Sequence, residues 1–240
     1  MDAHDARQRD ACAALRRKMV EAHLRRRGVT DTRVLEAMGG VPRHEFVSER
    51  FQKIAYGDHP IPIGENQTIS QPYIVGLMLQ ALALEPQDSV LEIGTGSGYE
   101  TALLAEMAKQ VYSIECHSEL SDRAGKILAR LGYSNVILAV GDGSQGLPMA
   151  APFNAIVVSA AAPSIPPPLL DQLKDGGRMV IPVGSRPLQE LQLARKRDHD
   201  SVVSVIGTCC FVRLMGKHGF TTAATATTGE CPLNIEDRGQ

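Results

Sequence analysis

Residues 88–116 constrain the fold more than any other stretch of the chain. Val90, Leu91 and Ile93 form a short apolar run of strand type, and Gly94, Gly96 and Gly98 follow at alternate positions. Residues 101–109 then carry helical spacing through Leu103, Leu104 and Met107, and a second apolar run, Val111 to Ile114, closes on Glu115. This is a strand, glycine turn, helix, strand unit with an acid at the carboxyl end of the second strand. The glycines let the backbone turn sharply and approach a ligand closely, while the free N–H groups at the helix start favour a negative group. Glu115 lies 21 residues after Gly94, where a carboxylate can accept from both hydroxyls of a ribose.

The spacing separates two classes of nucleotide ligand. A dinucleotide fingerprint needs a glycine at its sixth position, and that position is Tyr99, which argues against a nicotinamide-dependent oxidoreductase. The glycines, with Thr95 and Ser97 between them, make a G-x-G-x-G loop that resembles motif I of S-adenosylmethionine-dependent methyltransferases. A tight strand-to-helix turn without a ligand would use the same glycines. The acid before the loop, Glu92, and the ribose-type acid Glu115 together favour a ligand.

At 240 residues the chain suits one large α/β domain with an N-terminal extension, able to bury about 70 to 75% of its unfolded surface. A net charge of −2 gives no general attraction to nucleic acid or to membranes. No run of about 18 apolar residues occurs, and the N-terminus is charged where a secretion signal would be apolar, so a soluble cytoplasmic protein is expected. Cys12, Cys116, Cys209, Cys210 and Cys231 show no metal-ligand spacing and read as reduced thiols without a catalytic task.

Residues 6–27 read as a helix ended by Gly28. Its arginine runs, Arg16-Arg17-Lys18 and Arg25-Arg26-Arg27, suit an RNA-binding face or, interleaved with Asp10 and Glu21 and lacking aromatics, a solvated surface; the second reading is favoured. A second helix, Arg33 to Met38, is capped by Thr30 or Asp31. Prolines and glycines then keep residues 41–73 free of long regular elements, as in a surface segment or the wall of a cleft. Pro72 opens a further helix through Ile74, Leu77, Met78 and Leu82, so Ser70 or Gln71 falls at its cap.

Four segments in this region carry a more specific resemblance: Val41 to Val47, Ala55 to Asp58, Pro62 to Gly64, and Gln67 to Tyr73. Followed by the glycine loop, they resemble the protein-L-isoaspartate O-methyltransferase family, over about residues 30–217. The resemblance implies that Ser70, in Thr68-Ile69-Ser70-Gln71-Pro72, stands at the active site, with Gln67, Thr68 and Ile69 beside the substrate.

Beyond the loop, residues 121–131 read as a helix and Val136 to Val140 as a strand that closes on Gly141-Asp142-Gly143. Asp142 is either an ordinary turn aspartate or, as in this class of methyltransferase, an acceptor for the adenine amine, with Gly143 beside it. Phe153 to Ser159 suits a buried parallel strand leading into Ala160-Ala161-Ala162-Pro163, a segment with no side-chain base. That absence suits a substrate already nucleophilic, such as a carboxylate ionised at pH 7. A short helix over 165–173, a turn at Asp175-Gly176-Gly177, a strand over 178–183 and an antiparallel pair over 189–195 and 201–206 follow. Phe211 to Leu214 resembles the family's closing strand, with Met215 where the family has a proline shortly after. The resemblance implies that Ala160, Ala161 and Val183 bind an extended peptide by their main chain. Residues 219–240, rich in threonine, alanine and glycine, predict disorder.

The expectation is therefore an α/β fold: a doubly wound, mostly parallel twisted sheet of Rossmann-like class I methyltransferase type, with an antiparallel C-terminal edge. Residues 1–80 form an N-terminal helical cap, 81–218 the S-adenosylmethionine-binding core, and 219–240 a tail. The implied activity methylates the free α-carboxylate of L-isoaspartyl residues in damaged proteins and peptides, releasing S-adenosylhomocysteine. Neither metal, nucleic acid nor membrane is a partner, and a monomer is favoured. The competing expectations are methylation of another peptide carboxylate, an oxidoreductase, and a non-enzymatic RNA-binding module.

Overall fold

The central strands are apolar on both faces, which requires cover on both. Val90 points to one face with Ala155, Val157 and Val180, whereas Leu91 and Ile93 point to the other with Ile156, Val158, Met179 and Ile181. This is the two-residue period of a strand expressed in a sheet buried between two layers. The computed structural model describes residues 3–221 apart from 186 and 199. The expected disorder of 219–240 falls almost wholly outside the described residues.

Seven strands form the sheet in the order β5 (Val136–Val140), β4 (Gln110–Glu115), β3 (Ser89–Ile93), β6 (Phe153–Val158), β7 (Leu173–Val183), β8 (Gln189–Arg197) and β9 (Asp200–Cys209). The first five are parallel, and β8 and β9 add antiparallel. The chain runs outward from β3 through β4 to β5, then returns to the other side of β3 as β6. The expected sheet is thus present, and its order reverses between β3 and β6, where an open α/β sheet leaves a crevice.

One face of the sheet carries α2 (Thr32–Gly40), α3 (Pro72–Leu82) and α4 (Tyr99–Met107). Their apolar core is continuous with Met19, Leu24 and Phe46, so the N-terminal cap packs directly onto the sheet. The arginine-rich helix runs as α1 (Ala3–Met19), a π-helical turn Val20–Leu24 and a tight turn Arg25–Arg27, ending at left-handed Gly28. Its cations bond within the protein: Arg16 Nε donates to the Gly39 carbonyl at 2.6 Å, and Arg27 pairs with Asp58 and lies 3.5 Å from the Tyr73 ring centroid. Asp31 caps α2 by accepting from the Arg33 N–H.

Several expectations change in detail. Residues 61–69 form a hairpin, β1 (Ile61–Gly64) and β2 (Gln67–Ile69), across Glu65 and Asn66, which both have positive φ. The helix α5 (Ser118–Arg130) starts one turn earlier than its apolar spacing shows, and α6 spans only Pro167–Asp171. The turn at Asp175 to Gly177 is an irregularity inside β7, with left-handed Gly176. Residues 211–214 make a bridge to Ala161 instead of a full strand. No helix among the described residues is long and apolar enough to cross a membrane.

Candidate active site

At the reversal of the sheet order, β3 and β6 end together, and both exits line one cleft: Gly94 to Ser97 after β3, Ser159 and Ala160 after β6. Gly94, Gly96 and Gly98 have φ of 96°, 53° and 86°, values that side-chain-bearing residues hold only with strain. A Cβ on Gly98 would also stand 3.0 Å from the Cβ of Ala124 on α5. Gly143 lines the cleft from the β5 side, and a Cβ there would meet Ile93 Cγ2 at 2.5 Å.

Glu115 ends β4 with its carboxylate held by three backbone N–H groups. Gly96 donates to Oε2 at 2.9 Å, and Cys116 and His117 donate to Oε1 at 3.0 and 3.1 Å. A carboxylate offers about four acceptor sites. Oε2 therefore retains one for a ligand hydroxyl. Burial, then the nearby Glu115 carboxylate, pushes the Cys116 thiol up to about 11, so it carries little thiolate.

Two residues expected at the ligand, Glu92 and Asp142, stand behind the cleft lining. Glu92 is fully buried beneath the loop and does not line the cleft. Its Oε2 accepts from Thr101 Oγ1 and Ser113 Oγ, each at 2.6 Å, and Ser113 Oγ lies 2.5 Å from Thr95 Oγ1, so Glu92 braces the loop from below. Burial, then the charge of Glu100, raises its carboxyl well above the usual range. Asp142 also stands outside the cleft wall. Its Oδ1 accepts from the N–H and hydroxyl of Ser144, and its Oδ2 from Gln145 Nε2 and the Lys217 N–H. Both Asp142 oxygens are engaged in holding this turn, and Gly143 is the member of the pair that lines the cleft. Burial pushes its pKa up, but these hydrogen bonds outweigh that and hold it below the ordinary value.

Ser70 is half-buried where this cleft meets a second one. Its carbonyl accepts from Nη2 of buried Arg43 at 2.8 Å, and Arg43 Nε bonds the Ala55 carbonyl at 2.7 Å. The helix α3 has no side-chain cap at Gln71; instead Asp58 Oδ1 accepts from the Tyr73 N–H at 2.9 Å. Asp58 thus performs the capping that Ser70 would otherwise perform. The second cleft runs between Arg27, Asp58 and Tyr73 on one wall and residues 206–212 on the other. Thr68, Ser70, Ser159 and Val212 belong to both clefts.

Of the residues expected at the substrate, Gln67, Thr68, Ile69 and Ala160 line the first cleft, whereas Ala161 and Val183 do not. The Ala161 N–H donates to Val212 and its carbonyl accepts from Leu214, both at 2.7 Å. Val183 bridges Ala162, whose N–H and carbonyl bond Pro182 and Gly184. The main chain at Ala161 and Ala162 therefore serves tertiary pairing, where peptide binding was expected.

Sequence reasoning missed Glu100 and Ser159. The Ser159 hydroxyl donates to Glu100 Oε2 at 2.5 Å, and burial pushes the Glu100 carboxyl up to about 7 even though Ser159 opposes the shift. An acid in the first turn of a helix whose other faces are apolar was the available signal. Residues 212–215 also line the cleft and were missed, since only the long-range Ala161 bridge brings them there.

Residues 15–219 match the family model described as protein-L-isoaspartate(D-aspartate) O-methyltransferase. The chain belongs to this family. The match starts earlier than the motifs alone show, taking in part of α1. A protein-L-isoaspartate O-methyltransferase of Methanoculleus marisnigri is 51% identical over 211 residues, covering 88% of this chain and 96% of that one. One from Syntrophobacter fumaroxidans is 53% identical over 205 residues, covering 85% and 96%. A Plasmodium falciparum chain named as a protein-L-isoaspartate O-methyltransferase, solved in complex with S-adenosyl-L-homocysteine, superposes with a TM-score of 0.73 at 26% identity, covering 83% of this chain and 98% of that one. Membership of the protein-L-isoaspartate O-methyltransferase family accounts for both the glycine loop and the specific segment around Ser70.

Proposed function

We propose that this protein methylates the free α-carboxylate of L-isoaspartyl residues in proteins and peptides, using S-adenosylmethionine. The observation that carries this reading is the meeting of two clefts at Ser70 and Ser159, one floored by the glycine loop and Glu115, the other open to a peptide. The first cleft fits the cofactor: glycines allow close approach, Glu115 retains an acceptor for a ribose hydroxyl, and a buried oxygen of Glu100 has no hydrogen-bond partner. When bound, S-adenosylmethionine supplies an electrophilic methyl group on a sulfonium.

The chain's own contribution is positional. Glu115 and the glycine loop would hold the nucleoside end of the cofactor. Ser70, anchored through its carbonyl by Arg43, offers its hydroxyl to a substrate carboxylate entering from the second cleft. The acid nearest that entrance, Asp58, is already engaged by Arg27 and the Tyr73 N–H. No proton need be removed from an ionised carboxylate, so its oxygen attacks the methyl carbon directly. The products are a methyl ester and S-adenosylhomocysteine. Alignment of this kind supplies up to about 7 to 11 kcal/mol of barrier lowering. The ester then loses methanol to the neighbouring backbone amide, and the succinimide formed reopens in part to aspartate.

The test is methyl transfer from labelled S-adenosylmethionine to an L-isoaspartyl peptide and its L-aspartyl twin, scored as base-labile methanol. Transfer to the first alone is expected. Transfer to both would widen the activity to peptide carboxylates, and transfer to neither would remove it.

A further inference from the structure

We propose that Glu100 is the anionic partner of the α-ammonium group at the methionine end of bound S-adenosylmethionine. This inference rests on the cofactor assigned above. Glu100 is the second residue of α4, 8% exposed, and lines the cleft beside Ser159 at the end of β6. Its Oε2 is occupied by Ser159, whereas its Oε1 is buried with no hydrogen-bond partner. A buried carboxylate oxygen left in that state is costly unless a ligand supplies a donor.

The direction of the ligand across the sheet decides which donor this is. Glu115, the ribose acceptor, ends β4, and Gly143 follows β5, so the nucleoside extends from β3 toward that edge. Glu100 and Ser159 stand on the opposite side of β3, at β6. The methionine end of the ligand lies there. Its donors are the three N–H bonds of the ammonium group, since the sulfonium has none and cannot satisfy Oε1 as a hydrogen-bond acceptor. Ser159 holds the carboxylate by its other oxygen, which fixes the aim of Oε1.

The charge state fits this task. Burial raises the Glu100 carboxyl to about 7, so an arriving ammonium meets a group that ionises readily on pairing. The other titratable groups around it are Glu92 beneath on β3, Tyr99 beside it on α4, Glu115, Cys116 and His117 at the end of β4, and Arg213 on the cleft wall. The Glu100 charge raises the cost of ionising Glu92, so a cation bound at Glu100 relieves that cost as well.

Calorimetric titration of the full chain and of Glu100→Gln with S-adenosylmethionine, S-adenosylhomocysteine and methylthioadenosine tests the assignment. The first ligand carries sulfonium and ammonium, the second only ammonium, the third neither. In Glu100→Gln the first two are expected to weaken alike, by about tenfold or more near pH 8, with methylthioadenosine unchanged as the control for folding. In the wild type, S-adenosylhomocysteine affinity should rise with pH through about 7, and the variant should lose that slope. Loss of S-adenosylmethionine alone would transfer the role to the sulfonium and overturn the proposal. Equal loss of all three ligands, or of none, would also overturn it, as would a pH slope that survives in the variant and so belongs to another group. If the wild type binds none of the ligands, the cofactor assignment fails too; if it binds all three, only the inference is at stake.

Discussion

On the proposed function, Ser70 and Glu115 divide the chemistry between orientation and affinity. The Ser70 backbone is fixed by Arg43 and its capping duty is taken by Asp58, so its hydroxyl can be removed without disturbing α3. Ser70→Ala should lower turnover by about tenfold to a hundredfold while S-adenosylhomocysteine affinity stays nearly constant, since one positioned hydrogen bond to the reacting carboxylate is lost. Steady-state kinetics beside calorimetry read the two effects separately, and equal loss in both would remove the orienting role. Glu115→Gln should do the reverse. Its three N–H donors would face a neutral amide, and cofactor affinity should fall by about tenfold or more with little change in peptide affinity.

At the scale of elements, the site depends on two junctions. Gly98 starts α4 with φ 86° and has the Ala124 Cβ 3.0 Å from where its own Cβ would be. Gly98→Ala combines left-handed strain with a contact between α4 and α5, and should cost roughly 1 to 3 kcal/mol, read as a lowered denaturation midpoint. Asp58 joins the arginine-rich segment to α3 by pairing Arg27 and capping at Tyr73. Asp58→Ala should cost about 1 kcal/mol for the cap and weaken peptide binding more than cofactor binding, because Arg27 and Tyr73 wall only the second cleft. An unchanged midpoint and an unchanged peptide affinity would sink this account.

Across the whole molecule, the buried acids under the loop set a pH dependence. Glu92 and Glu100 both have folded pKa values above the ordinary 4.5, Glu100 at about 7. Above the ordinary value the unfolded chain has released protons that the folded chain retains, so the contribution of Glu100 falls as pH rises from about 4.5 through about 7, and that of Glu92 falls in the same direction. Without ligand, Glu92→Gln should therefore raise the melting temperature relative to wild type at about pH 8 and do less at about pH 5. The opposite order in scanning calorimetry would mean that Glu92 is stabilised as an anion. Most elements were legible in the sequence because strands and helices print their periods locally, as in Val136–Val140 and the glycine loop. The hairpin at residues 61–69 was not, since Glu65 and Asn66 are weak turn signals whose positive φ appears only in the folded chain.

By itself the sequence determined the strand, loop and helix succession, the ribose-type acid Glu115 and the placing of Ser70 before a proline-started helix, because each rests on neighbours along the chain. Tertiary structure alone decided which acids line the cleft. Glu92 turned to the packed face of β3, Asp142 was engaged by Ser144, Gln145 and Lys217, and Glu100 was brought to Ser159, 59 positions away. The physical reason is that the crevice forms between β3 and β6, which two strands and three connections separate along the chain, and a side chain's face there depends on sheet order and register that no local pattern encodes.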